Sequence, residues 1–467
     1  MLVKLSLPLL KPLFQTGDYH NRKANQSIAL VLSTRPETRD INRAIKDGVT
    51  FYLKNRLSLG EGKRMPELLV FDDQGDLARA EEIAKSLAAR EDVLAVIGHV
   101  DATLSLAVAP IYQSAGLPLL SVVASDDQLM SVDNGLFSIH STDRRQGRFM
   151  AGYAVYALNK FKATVIRSDA DNPGHRSWLQ GFADVAEEEG LDWKELRLGD
   201  FGDPSTLESA YEHLLASHPD IVFLAVDAEQ AEALVKLLRN KGFQQTVVLP
   251  SALATPAFAQ RFSALSREKK LGYYTNGLLV PVPFVLDMAN ERAQQVNEKY
   301  HQVTGVDISW PFALAHDATQ VLLEVYSREL NAIAATQPGE ARLPGRQDIK
   351  AGLTAVNSLQ RASEGVSGPV FFSDSATELK PLLMATFQNR TLISALTQLL
   401  PSEIPADIYD PFEHVGMISF SGSVFHLSHA VYTGVRVNRL SNINPDRRTF
   451  DADFEIWFRY YGQFNPG

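Results

Sequence analysis

Residues 92–128 read DVLAVIGHVDATLSLAVAPIYQSAGLPLLSVVASDDQ, and this stretch constrains everything around it. The apolar run at 93–100 carries a glycine near its end and suits a buried strand. Asp101 follows as a helix cap, and Leu104, Ala107, Val108 and Ile111 recur at helical spacing. Gly116 stops that helix, and 117–123 forms a second buried strand. The result is a β-α-β unit with polar strand ends at 101–105 and 124–127. In an open parallel sheet, ligands bind outside the carboxyl ends of the strands. Asp101, Ala102, Thr103 and Ser125 are therefore the first candidate ligand contacts.

Further β-α units flank this one, and 467 residues is long enough for two or three domains. The formal charge of -10 argues against a nucleic-acid partner. The chain has no cysteine, which excludes disulfides, thiolate nucleophiles and Cys-ligated metals. No Gly-x-Ser-x-Gly or His-Glu-x-x-His motif occurs, so the chain is read as binding without catalysis, with no metal and no cofactor. His99 has no partner at ligand spacing and reads as a hydrogen-bonded structural histidine. The first 14 residues are apolar but interrupted by Lys4, Pro8, Lys11 and Pro12, which is too broken to span a bilayer. They read as a linker or docking segment, or as the remnant of a signal or anchor.

The phrase VIGHVDATLSLAVAPIYQSAGLPLLSVVAS, with IGH, a small-residue stretch, IY and then G-hydrophobic-P, resembles the centre of the branched-chain amino-acid-binding (Leu/Ile/Val-binding) family. These are type I periplasmic substrate-binding proteins of ABC transporters. The order of elements agrees over 27–372. The resemblance implies an α/β fold of two mostly parallel-sheet lobes that close on a small polar metabolite outside the cytoplasm. It also implies a membrane permease as partner. Residues 26–142 with 283–366 would form lobe 1, and 143–282 with 367–400 lobe 2, after a leader or linker at 1–25. Crossings are expected near Ser141, Pro281 and Gly368.

The same resemblance places further candidates. The S-T-D-x-x-Q-G element at 141–147 implies a helix start facing the cleft, with Gln146 and Gly147 near the ligand. Ser33, Thr34 and Arg35 would form part of the mouth. Relatives carry an aromatic where this chain has Asn172, Pro173 and Gly174, which counts against an aliphatic amino-acid ligand. His175 or Trp178 would replace that contact, although Trp178 also suits packing. Asp227 ends a strand and either anchors an amine or caps a helix. Ser251 ends the next strand, and by the strand-end rule Asp227 and Ser251 share one cleft-facing edge with the loop at 169–172, which makes Asn172 a candidate contact too. Trp310 and Phe312 are aromatic candidates at a helix start, with Phe312 better suited to the core. Asp101 would repel an anion and suit an amide or amine.

Residues 271–280 read as one strand, and 401–411 as a proline-bearing linker. Beyond them Phe454, Ile456, Phe458 and Tyr460 alternate with period two, which predicts an antiparallel C-terminal β segment within 401–467. Residues 434–461 resemble the opening of the extracellular β-sandwich of bacterial pentameric ligand-gated channels. That implies an incomplete domain, a chain continuing past Gly467 into a membrane or signalling domain, and an aromatic row packed on a lobe or on further strands. The favoured reading is a sensor ectodomain of a membrane-associated receptor, and the alternative is the substrate-binding component of an ABC transporter.

Overall fold

The computed structural model describes residues 26–58, 65–169, 173–336, 342–372, 382–445 and 447–460. Strand β1 (Ser27–Leu32) is buried along its whole length because it pairs in parallel with a strand on each side. The chain continues through α1 (Arg39–Ser58), β2 (Glu67–Asp72), α2 (Leu77–Ala88), β3 (Val93–Ile97), α3 (Ala102–Ser114), β4 (Leu119–Ser121) and β5 (Leu136–Ser138). These strands form one parallel sheet in the order β2-β1-β3-β4-β5. His99 lies just beyond β3, fully buried, with Nδ1 2.6 Å from Asp73 Oδ2 and Nε2 3.0 Å from the Tyr112 hydroxyl. It ties the loop after β2 to α3, as a structural histidine should.

Helix α4 (Asp143–Gly152) starts the second lobe, capped by Thr142, and runs into a π-helical turn at Tyr153–Ala157. Then follow β6 (Lys162–Ser168), α5 (Pro173–Glu188), β7 (Asp192–Leu198), α6 (Pro204–Ser217), β8 (Ile221–Ala225), α7 (Ala228–Asn240), β9 (Thr246–Val248), α8 (Pro256–Gln260) and β10 (Leu279–Val282). The expected strand over 271–280 is thus only its last part. Upstream, the Glu268 carboxylate accepts from the amides of Gly272 and Tyr274 at 2.8 and 3.4 Å, and Tyr274 stacks on Phe262. Those contacts coil the backbone and leave no free edge for pairing.

The chain next returns to the first lobe. Helices α9 (Glu291–Thr304), α10 (Trp310–Thr336) and α11 (Arg346–Thr354) lead to a two-strand hairpin of β11 (Ser363–Glu364) and β12 (Pro369–Val370). The Arg346 guanidinium donates to the carbonyls of Leu87, Ala88, Val93 and Ala115, which fastens α11 to the first sheet. Asp317, buried in α10, accepts from the amides of Val366 and Ser367, both at 2.8 Å, and holds the hairpin loop. Strands β13 (Leu383–Gln388) and β14 (Thr391–Ser394) then go back to lobe 2. They add antiparallel to β10, completing a sheet in the order β14-β13-β10-β9-β8-β6-β7.

Residues 401–411, read as a linker, hold no strand beyond Pro401 and lead from one strand of a further sheet towards the next. Strands β15 (Thr397–Pro401), β16 (Met417–Phe420) and β17 (Ser423–His429) form a small antiparallel sheet, so the appended region starts before residue 401. It docks on lobe 2, where Leu399, Phe420 and Phe425 join a core with Phe149, Met150 and Tyr153. Gln398 completes the seam by exchanging hydrogen bonds with the backbone of Met384, both at 2.8 Å.

Strands β18 (Tyr432–Asn444) and β19 (Thr449–Arg459) pair as an antiparallel hairpin. Its base is pinned where the Tyr432 hydroxyl donates to Asp287 at 2.8 Å. The aromatic row was expected to be packed, but Phe454, Ile456 and Phe458 are 51%, 48% and 57% exposed. Opposite strands alternate charged pairs on one face, such as Arg436 opposite Glu455, with apolar pairs on the other, such as Val437 opposite Phe454. No third strand among the described residues covers the apolar face.

Candidate functional site

The carboxyl ends of the two parallel sheets face each other across a cavity of about 320 Å³. Its lobe 1 wall comes from the segments after β1, β3 and β4, with His140 and the start of α10. Its lobe 2 wall comes from α4, the start of α5, the ends of β8 and β9, and Pro281 in β10. Asp101, Ala102, Thr103, Ser125, Gln146 and Ser251 all line it, although the last lies 150 residues from the first in sequence.

Several of these side chains already have partners. Asp101 Oδ1 accepts from the Leu104 amide at 3.1 Å and so caps α3, while its Oδ2 accepts from the Arg35 guanidinium at 2.6 Å. The charge expected to repel anions is therefore answered by an arginine in the same wall. The first amides of α3, at Ala102 and Thr103, belong to a helix start at the cavity and favour negative charge there. Ser125 Oγ donates to Asp143 Oδ1 at 2.7 Å, and the Asp143 amide donates to the Ser125 carbonyl at 2.8 Å. Burial pushes the Asp143 carboxyl up to about 6, the Ser125 hydroxyl opposes this, and Asp126 and Asp127 add to the rise. Gln146 is buried and donates to the Ser141 carbonyl at 3.1 Å.

The aromatic wall carries an open valence. The amide of Ser141 donates to His140 Nδ1 at 2.9 Å, which assigns the remaining ring proton to Nε2. The His140 ring lies 5.2 Å from that of Trp310. Trp310 is only 4% exposed, and its indole Nε1–H has no acceptor among the described residues. A buried donor without a partner costs free energy and calls for an explanation. Across the cavity, burial holds His175 below the usual imidazole range, with Arg167 acting in the same direction and Asp227 against it.

The other candidates fall elsewhere. Gly147 lies behind the wall, where a Cβ would sit 1.9 Å from the Trp178 carbonyl oxygen, so it serves the close packing of α4 on α5. Asp227 is exposed and not in the wall; its carboxylate accepts from the Gln230 amide at 2.9 Å and caps α7. Asn172 lies outside the described residues. Ser33 and Arg35 line the cavity, whereas Thr34 donates its amide to Asp72 at 2.9 Å. Trp178 both lines the cavity and stacks on Phe182 at 5.2 Å. Phe312 is core, 4.6 Å from the Tyr300 ring. Thr38, His140 and Asp143 were not foreseen. Asp143 carried only the local pattern of a helix start, which does not tell a cleft-facing acid from a solvated one. Among the described residues, no group of three or more His, Asp or Glu side chains could hold a metal ion.

Residues 41–384 match the family model described as periplasmic binding protein. The chain belongs to the periplasmic binding protein family. That family binds substrates without transforming them. An amino acid binding protein of Pseudomonas aeruginosa is 24% identical over 197 residues, 41% of this chain and 51% of that protein. The chain thus spans about half the length of that curated relative. A leucine binding protein of Thermotoga maritima superposes with a TM-score of 0.66 at 19% identity, covering 79% of this chain and 97% of that one. A branched-chain amino acid transporter substrate-binding protein of Streptococcus pneumoniae, solved with isoleucine, gives 0.64 at 18% identity, covering 79% and 98%. At such identities the likeness is one of fold. As a periplasmic binding protein, the chain has the two-lobe α/β architecture of its family, plus the appended β region beyond the family match. No helix among the described residues is long and apolar enough to cross a membrane.

Proposed function

We propose that this protein binds a small polar, amino-acid-like or amide metabolite outside the cytoplasm, between its two lobes, as the substrate-binding component of an ABC transporter. The observation that carries the reading is the unpartnered Trp310 indole N–H in the cavity wall. A carbonyl or carboxylate oxygen of the ligand completes its hydrogen bond. The start of α3 adds amide donors on the same lobe, and Met150, Trp178 and Phe223 offer an apolar bed on the other. Closure brings the two half-sites together, with the three crossings acting as the hinge. The partner is a membrane permease that recognises the closed form. Calorimetric titration with a panel of amino acids, their amides and small carboxylates tests this. One ligand at one-to-one stoichiometry, bound about tenfold more weakly by Trp310→Phe, supports the reading. No heat from any member, or a ligand indifferent to Trp310, sinks it.

One observation favours a second reading, a sensor ectodomain. The β15–β17–β16 sheet is locked onto lobe 2 and the adjoining hairpin presents an uncovered apolar face, neither of which a freely diffusing transport subunit needs. Under that reading the tail resembling a pentameric-channel β-sandwich relays lobe closure. Ligand-dependent hydrogen exchange in β18–β19 would favour sensing, and exchange changes confined to the cavity would favour transport.

A further inference from the structure

Helix α4 has two faces. Gln146 and Met150 line the interlobe cavity, while Arg144, Arg145, Arg148 and Phe149 line a separate one of about 170 Å³, at the seam with the appended β15–β17–β16 sheet. We propose that this seam cavity is a second binding site, for a small oxyanion presenting a carboxylate or phosphate group. Three guanidinium groups within five positions of one helix repel one another, and Arg144 and Arg148 stand at the unfavourable i,i+4 spacing.

Among the described residues, the charges of Arg144 and Arg148 are answered only in part. Arg144 pairs with Asp184 at 2.8 Å, but its Nε is buried with no acceptor. Arg148 donates to the neutral hydroxyl of Ser421, and among the described residues it makes no ion pair with a carboxylate. The one acid in the lining, Asp127, already accepts from Ser177 at 3.0 Å. The hydroxyls of Thr142, Ser421 and Ser423 ring the same space. Phe149, Phe420 and Phe425 wall it on the inner side, which lowers the local dielectric and strengthens a guanidinium–oxyanion pair. Arginine forks match the oxygen spacing of carboxylate and phosphate. An anion here touches both α4 and the appended sheet, so it fastens the one to the other. This site is distinct from the interlobe cavity and stands or falls separately from the function proposed above.

The test uses the full chain with inorganic phosphate and acetate as probes, against sodium chloride at matched ionic strength. At least one probe should raise the melting temperature saturably above the chloride control and slow amide exchange over 417–429. Response to phosphate alone or to acetate alone identifies the preferred oxyanion, and either supports the site. Arg145→Gln with Arg148→Gln should weaken the response at least tenfold, with the far-UV circular dichroism of the free protein unchanged. Arg148→Lys, which keeps the charge but not the fork, gives a check on folding and should weaken it less. Trp310→Phe, in the other cavity, should leave it intact. Equal shifts with chloride, or full response in the double variant, would overturn the proposal.

Discussion

Phe420 fills the space beside Gly152: a Cβ built on that glycine would lie 2.1 Å from Phe420 Cε2. The ring also stacks on Tyr156 at 5.5 Å and on Phe425 at 4.5 Å, so it has nowhere to retreat. The absence of one methyl group lets the appended sheet dock on lobe 2. Gly152→Ala should therefore destabilise the protein by about 1–3 kcal/mol, the usual cost of overpacking, although alanine is the better helix former by about 1 kcal/mol. Hydrogen exchange should show the loss concentrated in β15–β17. A stabilised variant would mean that the seam is plastic.

Trp310→Phe should weaken ligand binding about tenfold, or about 1.4 kcal/mol, because the variant loses the indole donor. Calorimetry on the panel ligand reads this directly. An unchanged affinity would leave the stranded N–H without a functional explanation.

Asp143 makes stability depend on pH in an unusual direction. Its folded carboxyl titrates near 6, above the ordinary carboxylate range, so the folded chain binds the proton more tightly than the unfolded one. This contribution is full below pH about 4 and is lost as pH rises through about 6. Asp143→Asn accepts the Ser125 hydrogen bond but never ionises. Its unfolding free energy relative to the native protein should rise between pH 4 and 7. Urea unfolding at four pH values decides the matter, and a constant difference across them would dismiss the carboxyl as the cause.

Asp227 has two substitutions with opposite forecasts. Asn caps as well as Asp, so Asp227→Asn should leave both stability and ligand affinity unchanged. Asp227→Ala should cost about 1 kcal/mol of stability from the lost cap, still without touching affinity. A drop in affinity in the asparagine variant would return Asp227 to the list of ligand contacts.

How far the sequence was legible depended on the range of the interaction. Strand runs such as 27–32 and 93–97, and caps such as Asp101, were readable because apolar periodicity and capping are local. The strand ends accordingly named much of the cavity wall. What lay hidden was pairing at a distance. Arg35 and Asp101 are 66 residues apart, and nothing near either announces the other. Arg148 and Ser421 are 273 apart, so the seam could not be foreseen, and prolines around 401–411 read as a linker. The hairpin failed for another reason: its alternation correctly predicted strands, but period two says only that one face is apolar, not what covers it.

The return of β13 and β14 to lobe 2 has a consequence for the order of assembly. Lobe 1 has its whole parallel sheet by Ser138 but lacks α9–α11 and the β11–β12 hairpin until the second sheet has been threaded through, and that sheet in turn waits for residues 383–394. Neither lobe can be completed until most of the chain has emerged, and no single cut yields either one whole. A fragment ending at Val282 should thus behave as a chaperone client rather than a domain, with protease-sensitive β10 and no cooperative melting transition. A sharp transition in that fragment would show that half the protein suffices to fold.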